Sequence, residues 1–518
     1  MSSLYRKIRS VVDISIDNAD QISLAYLHRT HKNKRLKIRG TYLEDIYNDK
    51  NPEITVKKST QSGLSEWLVF RAICRAREGK SILYVLPTFD LKNQFVKERV
   101  DKSISYSNFY QTLINDTPKK FAESVSLKQI GEGTIIFVGS NTANAFISYP
   151  ADDIIIDELD NCNQDNLFMA SERQSASEDK RTIKVGNPTI TNFGIDAEYK
   201  KTDQKIWQVK CSSCGKYIIP EFFQHIVEKI GNDWLVVDPK WTQDKEPFPI
   251  CHLCKKPYDR FGHGRWVKKG SGKVSGYYIS KMFSTYNTLS ELLDRFSAGL
   301  SNDTAMQRFY NGDLGKAYTA EGSRITEEML DACVKDYLLE DSTDKVCVAG
   351  IDVGAILNII IAEMGQNELK IVNISEVKEF EEAMYLLSRY KVRCFVVDSR
   401  PETRESMKLV QKMLAHGSIG ALCDYTTNKK DLQYNARGNI LSIDRTISLD
   451  SVKEYIFTQK IIFPRNARSI KNLYDQIVNV TRIYNEKRDY YEWVEAGADH
   501  YFHALNYMLL ASRIIKYL

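Results

Sequence analysis

Residues 56–65, Val-Lys-Lys-Ser-Thr-Gln-Ser-Gly-Leu-Ser, decide how the first part of this chain folds. They follow a short β-prone stretch, Ile54-Thr55-Val56, and precede a helical pattern over 66–73. A strand that leads through a polar loop into a helix is a common cradle for phosphate, because the loop N–H groups and the positive end of the helix dipole point at the anion. An ordinary polar strand–helix turn is the alternative, and this stretch alone favours the two interpretations about equally.

The loop differs from the usual phosphate-loop motif, G-x-x-x-x-G-K-[ST], in the position of its lysine. Gly63 is in place, but Leu64 occupies the lysine position. Lys57 and Lys58 lie at the front of the loop instead, and a long lysine side chain from there reaches the β- and γ-phosphates of a nucleotide. Ser65 occupies the position whose hydroxyl holds Mg²⁺.

A second stretch, Ile154-Ile155-Ile156-Asp157-Glu158, is an apolar strand that ends in two carboxylates. An Asp at the tip of a parallel strand beside a phosphate loop holds Mg²⁺, and the following Glu is placed to orient or deprotonate an attacking water. Alone, such a run is more often a plain strand end. Together with the loop it indicates nucleotide hydrolysis.

Strands and helices alternate over 51–200, which predicts a mostly parallel sheet with its ligand site at the carboxyl ends of the strands. Asn187 follows one of these strands and is a candidate sensor of the γ-phosphate. The predicted nucleotide-binding residues are Lys57, Lys58, Ser59, Gly63, Ser65, Asp157 and Asn187, with Glu158 as the catalytic carboxylate.

The composition is that of a soluble globular protein with several domains. The 518 residues are 43% hydrophobic and 27% charged, with a net charge of +5. Met1–Ser10 lacks the apolar core of a secretory signal, and no apolar run is long enough to span a bilayer, so an intracellular protein is predicted. The predicted divisions are 1–50, an N-terminal helical segment; 51–204, the core of the first domain; 205–270, a metal-binding insertion; 271–340, the remainder of the first domain and a linker; and 341–518, a last domain.

Two C-x-x-C pairs lie in the insertion, Cys211 with Cys214 and Cys251 with Cys254. Four thiolates from two such turns form a closed tetrahedral zinc site, which is structural because no coordination position is left open. Four reduced thiols in a loop-rich insertion are the alternative. The pairing favours zinc.

The last domain carries three carboxylates at defined positions. Asp352 ends the first of three consecutive strands, Asp398 ends a later strand that follows a helical stretch, and Asp499 opens the final helix. The order β-β-β-α-β with acids at these positions is typical of RNase H-like nucleases. In such enzymes the carboxylates hold two divalent ions, Mg²⁺ or Mn²⁺, at the scissile phosphate. Each aspartate alone is equally well explained as a turn former or a helix N-terminal charge.

These features together resemble the large terminase subunits of tailed bacteriophages, in the branch that carries a zinc ribbon. The resemblance covers nearly the whole chain. It includes the loop with its displaced lysine, the strand ending in Asp157-Glu158, the turn Gly186-Asn187-Pro188-Thr189, the cysteine pairs and the three acids. The resemblance implies that this turn couples hydrolysis to movement, and the turn departs from many relatives, which have Ser or Thr before the proline.

The resemblance implies an α/β protein: a P-loop ATPase of the RecA-like, ASCE type with a zinc-ribbon insertion, followed by an RNase H-like nuclease. It implies an ATP-driven motor that moves double-stranded DNA into a procapsid and cuts concatemeric DNA. The implied cofactors are ATP with Mg²⁺, two Mg²⁺ or Mn²⁺ ions for cutting, and structural Zn²⁺. The implied partners are duplex DNA, the small terminase subunit and the portal, with a ring of copies on the portal, no membrane, a location in the host cytoplasm and absence from the mature virion.

A helicase or repair translocase fused to a nuclease is the main rival interpretation. Such helicases normally carry a second motor lobe, and no such lobe is evident between Gly276 and Gly350. A zinc-dependent DNA-binding protein with degenerate sites is the third interpretation. Both acid sets are intact in the sequence, which favours the motor.

Overall fold

The computed structural model describes residues 20–115, 124–142, 146, 149–231, 233–319, 323–426, 431–485 and 490–515. The chain divides into two compact units, Met1–Tyr318 and Thr319–Leu518. The prediction for Met1–Ser10 lies outside the described residues. In the described part of the predicted N-terminal helical segment there are two short helices, Gln21–Ala25 and Leu43–Tyr47.

A ten-stranded sheet forms the centre of the first unit, in the order β11-β7-β12-β1-β6-β5-β2-β4-β3, with β8 paired to β7. Neighbouring strands from β7 through to β4 in this order are parallel. The strands are β1 Glu53–Lys58, β2 Ser81–Leu86, β3 Leu127–Ile130, β4 Gly133–Gly139, β5 Asp153–Asp157, β6 Arg181–Gly186, β7 Lys205–Lys210, β8 Tyr217–Ile218, β11 Gly264–Val267 and β12 Ser275–Ile279. A separate hairpin joins β9 Val227–Ile230 to β10 Asp233–Val236.

Helices cover both faces of this sheet, and this is why β2 and β5 are nearly continuous apolar runs rather than alternating ones. On one face the helix Leu64–Arg77 buries Trp67, Phe70 and Ile73 completely. The remaining α-helices of the unit are Phe89–Phe95, Asp101–Tyr106, Asn108–Asn115, Gln164–Glu172, Gly194–Lys200, Phe222–His225, Leu289–Gly299 and Asp303–Arg308. Val96–Val100 and Phe309–Leu314 are π-helical turns.

The predicted metal-binding insertion starts and ends inside the main sheet. Its first residues form β7, which pairs with β12, and near its end lies β11, which pairs with β7. The strand expected near Gly276 returns to the sheet as β12, in parallel with β1. Residues 319–340, grouped with the linker from the sequence, lie in the second unit of the structure.

The second unit is built on an eight-stranded sheet with the order β18-β19-β17-β16-β13-β14-β15-β20. β13, β14 and β15 form the predicted antiparallel meander, and β16 joins β13 in parallel. The strands are β13 Cys347–Val353, β14 Leu357–Met364, β15 Leu369–Val377, β16 Val392–Asp398, β17 Ile419–Thr426, β18 Gln433–Asn435, β19 Ile440–Asp444 and β20 Ile461–Ile462, with a hairpin of β21 Val480–Asn485 and β22 Tyr490–Glu495. The predicted β-β-β-α-β order is confirmed, with the helix Phe380–Arg389 before β16.

Two apolar cores lie on opposite faces of this sheet. One core packs the C-terminal helix His500–Ile514 against the strands, and the other packs Phe380–Arg389 and Thr403–Ala415. The other helices are Glu327–Ala332, Arg445–Phe457 and Leu473–Val478. Within the described part of the chain, no helix combines the length and the apolar content needed to cross a bilayer.

Candidate active sites

The predicted phosphate loop connects β1 to the helix Leu64–Arg77. Gly63, the residue before the helix, has φ +81°, a left-handed conformation that favours glycine. The start of the loop is tied to the rest of the unit, because the Ser59 N–H donates to Ile279 O at 2.8 Å and the Thr60 N–H donates to Gly312 O at 2.8 Å. The loop backbone is therefore held before any ligand arrives.

Lys57 and Lys58 point to opposite faces of the sheet, as successive strand residues must. Lys58 is buried, and its Nζ donates to Asn187 Oδ1 at 2.7 Å and to Glu158 Oε1 at 3.2 Å. Lys57 Nζ instead forms an ion pair with Asp196 at 3.0 Å. The structure thus brings Lys58, and not Lys57, to the other predicted site residues.

Asp157 and Glu158 lie at the carboxyl end of β5, with only β6 between β5 and β1. Burial and the neighbouring Glu158 charge raise the pKa of Asp157, while Lys58 and hydrogen bonds from Tyr84 and Ser65 oppose that shift. The Tyr84 hydroxyl donates to Asp157 Oδ2 at 3.1 Å. Glu158 has φ +62°, and this strained backbone directs its side chain towards Lys58.

Four buried polar atoms around Lys58 have no hydrogen-bond partner within the protein. They are Ser59 Oγ, Ser62 Oγ, Asp157 Oδ1 and Asn187 Nδ2. Leaving a buried donor or acceptor unpaired costs about 1–3 kcal/mol. Four such atoms at the carboxyl edge of the sheet therefore need a ligand or ordered water to satisfy them. A nucleotide triphosphate with its hydrated Mg²⁺ supplies the matching donors and acceptors.

Asp160 is a site residue that the sequence reasoning missed. It accepts hydrogen bonds from Thr189 N and Oγ1, each at 2.8 Å, and from Ile195 N at 2.6 Å. Burial raises its pKa to about 7. Asp160 thereby ties the segment after Glu158 to the turn that carries Asn187. The only sign of this role in the sequence is that Asp160 is a polar residue shortly after Asp157 and Glu158.

The four predicted zinc ligands come together. The Sγ atoms of Cys211, Cys214, Cys251 and Cys254 all lie within 4.8 Å of one another, and in the described ranges this is the only group of three or more metal-ligand side chains that does so. The two turns have matching backbones: the Gly215 N–H donates to Cys211 O at 2.9 Å, and the Lys255 N–H donates to Cys251 O at 2.8 Å. Tetrahedral zinc needs four thiolates at this spacing.

Burial raises the pKa of Cys211, but hydrogen bonds from the Cys214 and Ser213 backbone outweigh it and bring that pKa to about 7. A lowered thiol pKa favours the thiolate form that binds metal. His252, which lies between the second pair of cysteines, contacts His225 instead, with Nδ1 and Nε2 3.0 Å apart.

Asp352 and Asp398 lie side by side in the second unit. The parallel pairing of β13 with β16 sets Ile351 opposite Val397, so the following aspartates are neighbours across the ladder. Burial, aided by the Asp352 charge, raises the pKa of Asp398. Two neighbouring carboxylates repel each other electrostatically, and a divalent cation bound between them relieves that repulsion.

The C-terminal helix brings Asp499 to the same edge. This helix crosses β13 at Gly350, where an added Cβ would lie 2.1 Å from Ala504 O and 2.2 Å from Met508 N. The close approach sets His500 Nδ1 2.9 Å from Asp352 Oδ2. The start of this helix, which carries Asp499, therefore lies near Asp352, but the oxygens of the three aspartates do not all lie within 4.8 Å of one another.

Tyr507 is the second residue that the sequence reasoning missed. It lies two turns into the C-terminal helix, is buried, and its hydroxyl donates to Asp398 Oδ2 at 3.0 Å. The hydrogen bond lowers the pKa of Asp398 against the effect of burial. Its helical spacing from Asp499 was visible in the sequence, but its partner across the sheet was not.

Comparison with known proteins matches both units to one family. The family model described as phage terminase large subunit gpA, ATPase domain, matches residues 42–270, and the terminase large subunit gpA endonuclease domain matches residues 274–368. Together the two models cover more than half of the chain. No curated protein matches the sequence.

Among solved structures, the large terminase of a thermophilic bacteriophage is 11% identical, with a TM-score of 0.30, over 90% of this chain and 94% of that chain. The large terminase ATPase domain of Thermus phage P74-26 is 11% identical, with a TM-score of 0.33, over 55% and 95%. The human cytomegalovirus terminase nuclease domain is 9% identical, with a TM-score of 0.23, over 37% and 94%. On the evidence of its ATPase and endonuclease family models, this chain belongs to the phage terminase large subunits.

Proposed function

We propose that this ATPase and nuclease is a DNA-packaging motor that moves double-stranded DNA into a procapsid and cuts concatemeric DNA. The observation that carries the proposal is the set of unpaired buried polar atoms around Lys58, at the carboxyl edge of a parallel sheet. A buried ammonium with unpaired serine, aspartate and asparagine atoms fits a polyphosphate with a bound cation.

In the nucleotide site, Lys58 binds the phosphates, and the loop N–H groups of residues 61–63 cradle them. Ser65 and Asp157 hold Mg²⁺, which neutralises the charge that develops on the phosphate oxygens. Glu158 orients and deprotonates the attacking water. Glu158 accepts a hydrogen bond from Lys58, so a phosphate that binds the Lys58 ammonium releases Glu158 to act on the water.

Asn187 senses the γ-phosphate, since Lys58 donates to its oxygen and its Nδ2 is unpaired. Asp160 then transmits the change to the backbone of the following turn through Thr189. The positions of both residues support a coupling role for this turn, although it has Asn187 where many relatives have Ser or Thr before the proline.

In the nuclease site, Asp352, Asp398 and Asp499 hold two Mg²⁺ or Mn²⁺ ions, which activate water and stabilise the leaving oxygen when bound. Oxygen-only donors fit these hard ions. His500 holds Asp352 in position and Tyr507 holds Asp398. The four cysteines hold structural Zn²⁺, and such a site contributes on the order of 10 kcal/mol to local folding.

The proposed partners are duplex DNA, the small terminase subunit and the portal of the procapsid, on which copies of this chain form a ring. The proposed location is the host cytoplasm, with no membrane and no place in the mature virion. Membership of the terminase family supports these assignments.

Two substitutions test the separation of the sites. Glu158→Gln should reduce ATP hydrolysis by at least about 100-fold while plasmid cutting in Mn²⁺ persists. Asp352→Asn should do the reverse. A loss of both activities from either substitution, in a protein with an unchanged thermal unfolding curve, would refute the two-site proposal.

The zinc assignment has its own measurement. Metal analysis should find one Zn²⁺ per chain, which Cys211→Ser removes. Cys74→Ser serves as the control, because Cys74 is a buried thiol outside the cluster. An unchanged zinc content in Cys211→Ser would rule out the four-thiolate site.

A further inference from the structure

A cavity of about 410 Å³ lies on the opposite face of the sheet from Lys58, and four of its eleven lining residues are lysines. Lys57, Lys200, Lys269 and Lys316 all contribute to it, together with Tyr199 and Tyr278. None of these residues except Lys57 belongs to the predicted nucleotide site. We propose that this lysine cavity, defined by these six residues, binds the phosphate backbone of duplex DNA.

The lysine cavity holds more positive charge than its acidic neighbours balance. The Asp196 carboxylate is shared, with Lys57 Nζ at 3.0 Å from one oxygen and Lys200 Nζ at 2.7 Å from the other. Lys316 is paired with Glu221 at 2.5 Å. Four ammonium groups therefore face two carboxylates, which leaves an excess of two positive charges.

Lys269 is exposed and forms no ion pair within the described residues, so its charge is available to a ligand. Lys57, in contrast, is ion-paired, and its side chain is only 12% exposed. Burial lowers the pKa of Lys57, Asp196 opposes the shift, and the Lys200 and Lys316 charges add to it. A bound anion would offset this mutual repulsion.

The tyrosines indicate that the ligand is a phosphate rather than a base. Lys57 Nζ lies over both rings, 4.6 Å from the centroid of Tyr199 and 5.3 Å from that of Tyr278. Both hydroxyls are also engaged, because Tyr199 donates to Lys205 O and Tyr278 donates to Leu314 O. The ring faces that would stack on a base are thus occupied by the chain's own ammonium group.

The position of the lysine cavity connects it to the nucleotide site. Lys57 and Lys58 are consecutive, and Thr191, which also lines the cavity, follows the turn of Asn187. The Tyr318 N–H donates to Thr189 O at 3.1 Å, next to the lining residues Lys316 and Ala317. Movement of the turn during hydrolysis therefore alters the cavity wall. This inference rests on the proposed role of duplex DNA as a partner.

The test compares two double substitutions that remove the same charge from the first unit of the full-length chain. Lys200→Gln with Lys269→Gln changes the lysine cavity, and Lys240→Gln with Lys245→Gln changes two exposed lysines outside it. Binding of a short blunt duplex is measured over a salt series without added Mg²⁺ or Mn²⁺. The cavity variant should bind on the order of tenfold more weakly, with a log–log salt slope shallower by about 2, whereas the control variant should match the unsubstituted chain. Equal losses in both variants would overturn the proposal.

Amine-reactive labelling read by mass spectrometry locates the contact. Duplex DNA should protect Lys200 and Lys269 from labelling and leave Lys240 unprotected. Protection by tripolyphosphate but not by DNA, at equal phosphate concentration, would assign the cavity to a free polyphosphate and overturn the DNA site. Protection by neither ligand would also overturn the DNA site. Glu158→Gln should retain the protection. If Glu158→Gln loses ATP hydrolysis as expected but duplex DNA does not protect the cavity lysines, the motor proposal stands and the cavity proposal does not.

Discussion

The nucleotide site of the first unit and the acid cluster of the second unit both place carboxylates at the carboxyl ends of parallel strands. They balance that negative charge differently. In the first, the buried Lys58 lies against Glu158 and Asn187. In the second, the carboxylates contact a histidine and a tyrosine, through Asp352 with His500 and Asp398 with Tyr507.

This difference in the side chains around the carboxylates indicates which kind of ion each site favours. A fixed lysine beside unpaired hydroxyl and amide groups attracts an anion and donates to it, as nucleotide phosphates require. Neighbouring carboxylates that contact no lysine within the described part of the chain attract a divalent cation. The same strand-end architecture can therefore be adapted to two chemistries by the side chains that neighbour the carboxylates.

Lys58→Gln offers the strongest way to break this comparison. Removing the ammonium should reduce ATP hydrolysis by about 100-fold or more, close to 3 kcal/mol of barrier, because the proposed role of this ammonium is to contact the transferring phosphate. Lys57→Gln is the matched change one residue away, and it should reduce hydrolysis by less than about tenfold, because Lys57 pairs with Asp196. Rates of phosphate release at saturating ATP measure both variants. A larger loss in Lys57→Gln would reassign the lysine.

Gly350→Ala tests the nuclease site through backbone packing instead of charge. The new Cβ would lie about 2 Å from the C-terminal helix backbone, so the helix must shift, at about 3 kcal/mol or more. His500 and Asp499 would move with it, and DNA cutting should be lost while ATP hydrolysis persists. Gly354→Ala is the control, since its Cβ would meet its nearest atoms at 3.6 and 3.8 Å. Full cutting by Gly350→Ala would show that the helix position does not matter.

Some features of these two sites could be predicted from the sequence, and others could not. Strand order, the loop and the strand-end acids follow from local patterns, and the structure confirms the α/β architecture they indicated. The choice between Lys57 and Lys58 depended on which face of β1 each occupies, and no local pattern fixes that face when both sides of a sheet are covered. Asp160 and Tyr507 were missed because their partners lie on other elements, so their hydrogen bonds exist only in the folded chain.

Tyr507→Phe sharpens the comparison by removing a neutral donor from the acid cluster. Loss of a hydrogen bond to a carboxylate costs about 1.5 kcal/mol, so DNA cutting should fall by about tenfold. Tyr501→Phe is matched, because Tyr501 is buried on the same helix and its hydroxyl forms no hydrogen bond to a carboxylate within the described residues. Initial rates of plasmid nicking in Mn²⁺ measure both. Equal rates for the two variants would remove Tyr507 from the site.

Asp160→Asn gives the smallest effect and tests the connection behind the nucleotide site by its pH dependence. Burial raises the pKa of Asp160 to about 7, so the stability it contributes is fully present below its unfolded pKa and declines as pH rises towards and through 7. The amide stays uncharged, and it loses one acceptor, for Ile195 N, at every pH. The melting temperature of the variant relative to the unsubstituted chain should therefore rise between pH 5 and pH 8, by an amount worth a few kcal/mol at most. Asp90→Asn, at an exposed position, should show a flat difference over the same range. A flat difference for Asp160→Asn as well would mean that Asp160 is already ionised at pH 5 and acts only as a hydrogen-bond acceptor for Thr189 and Ile195.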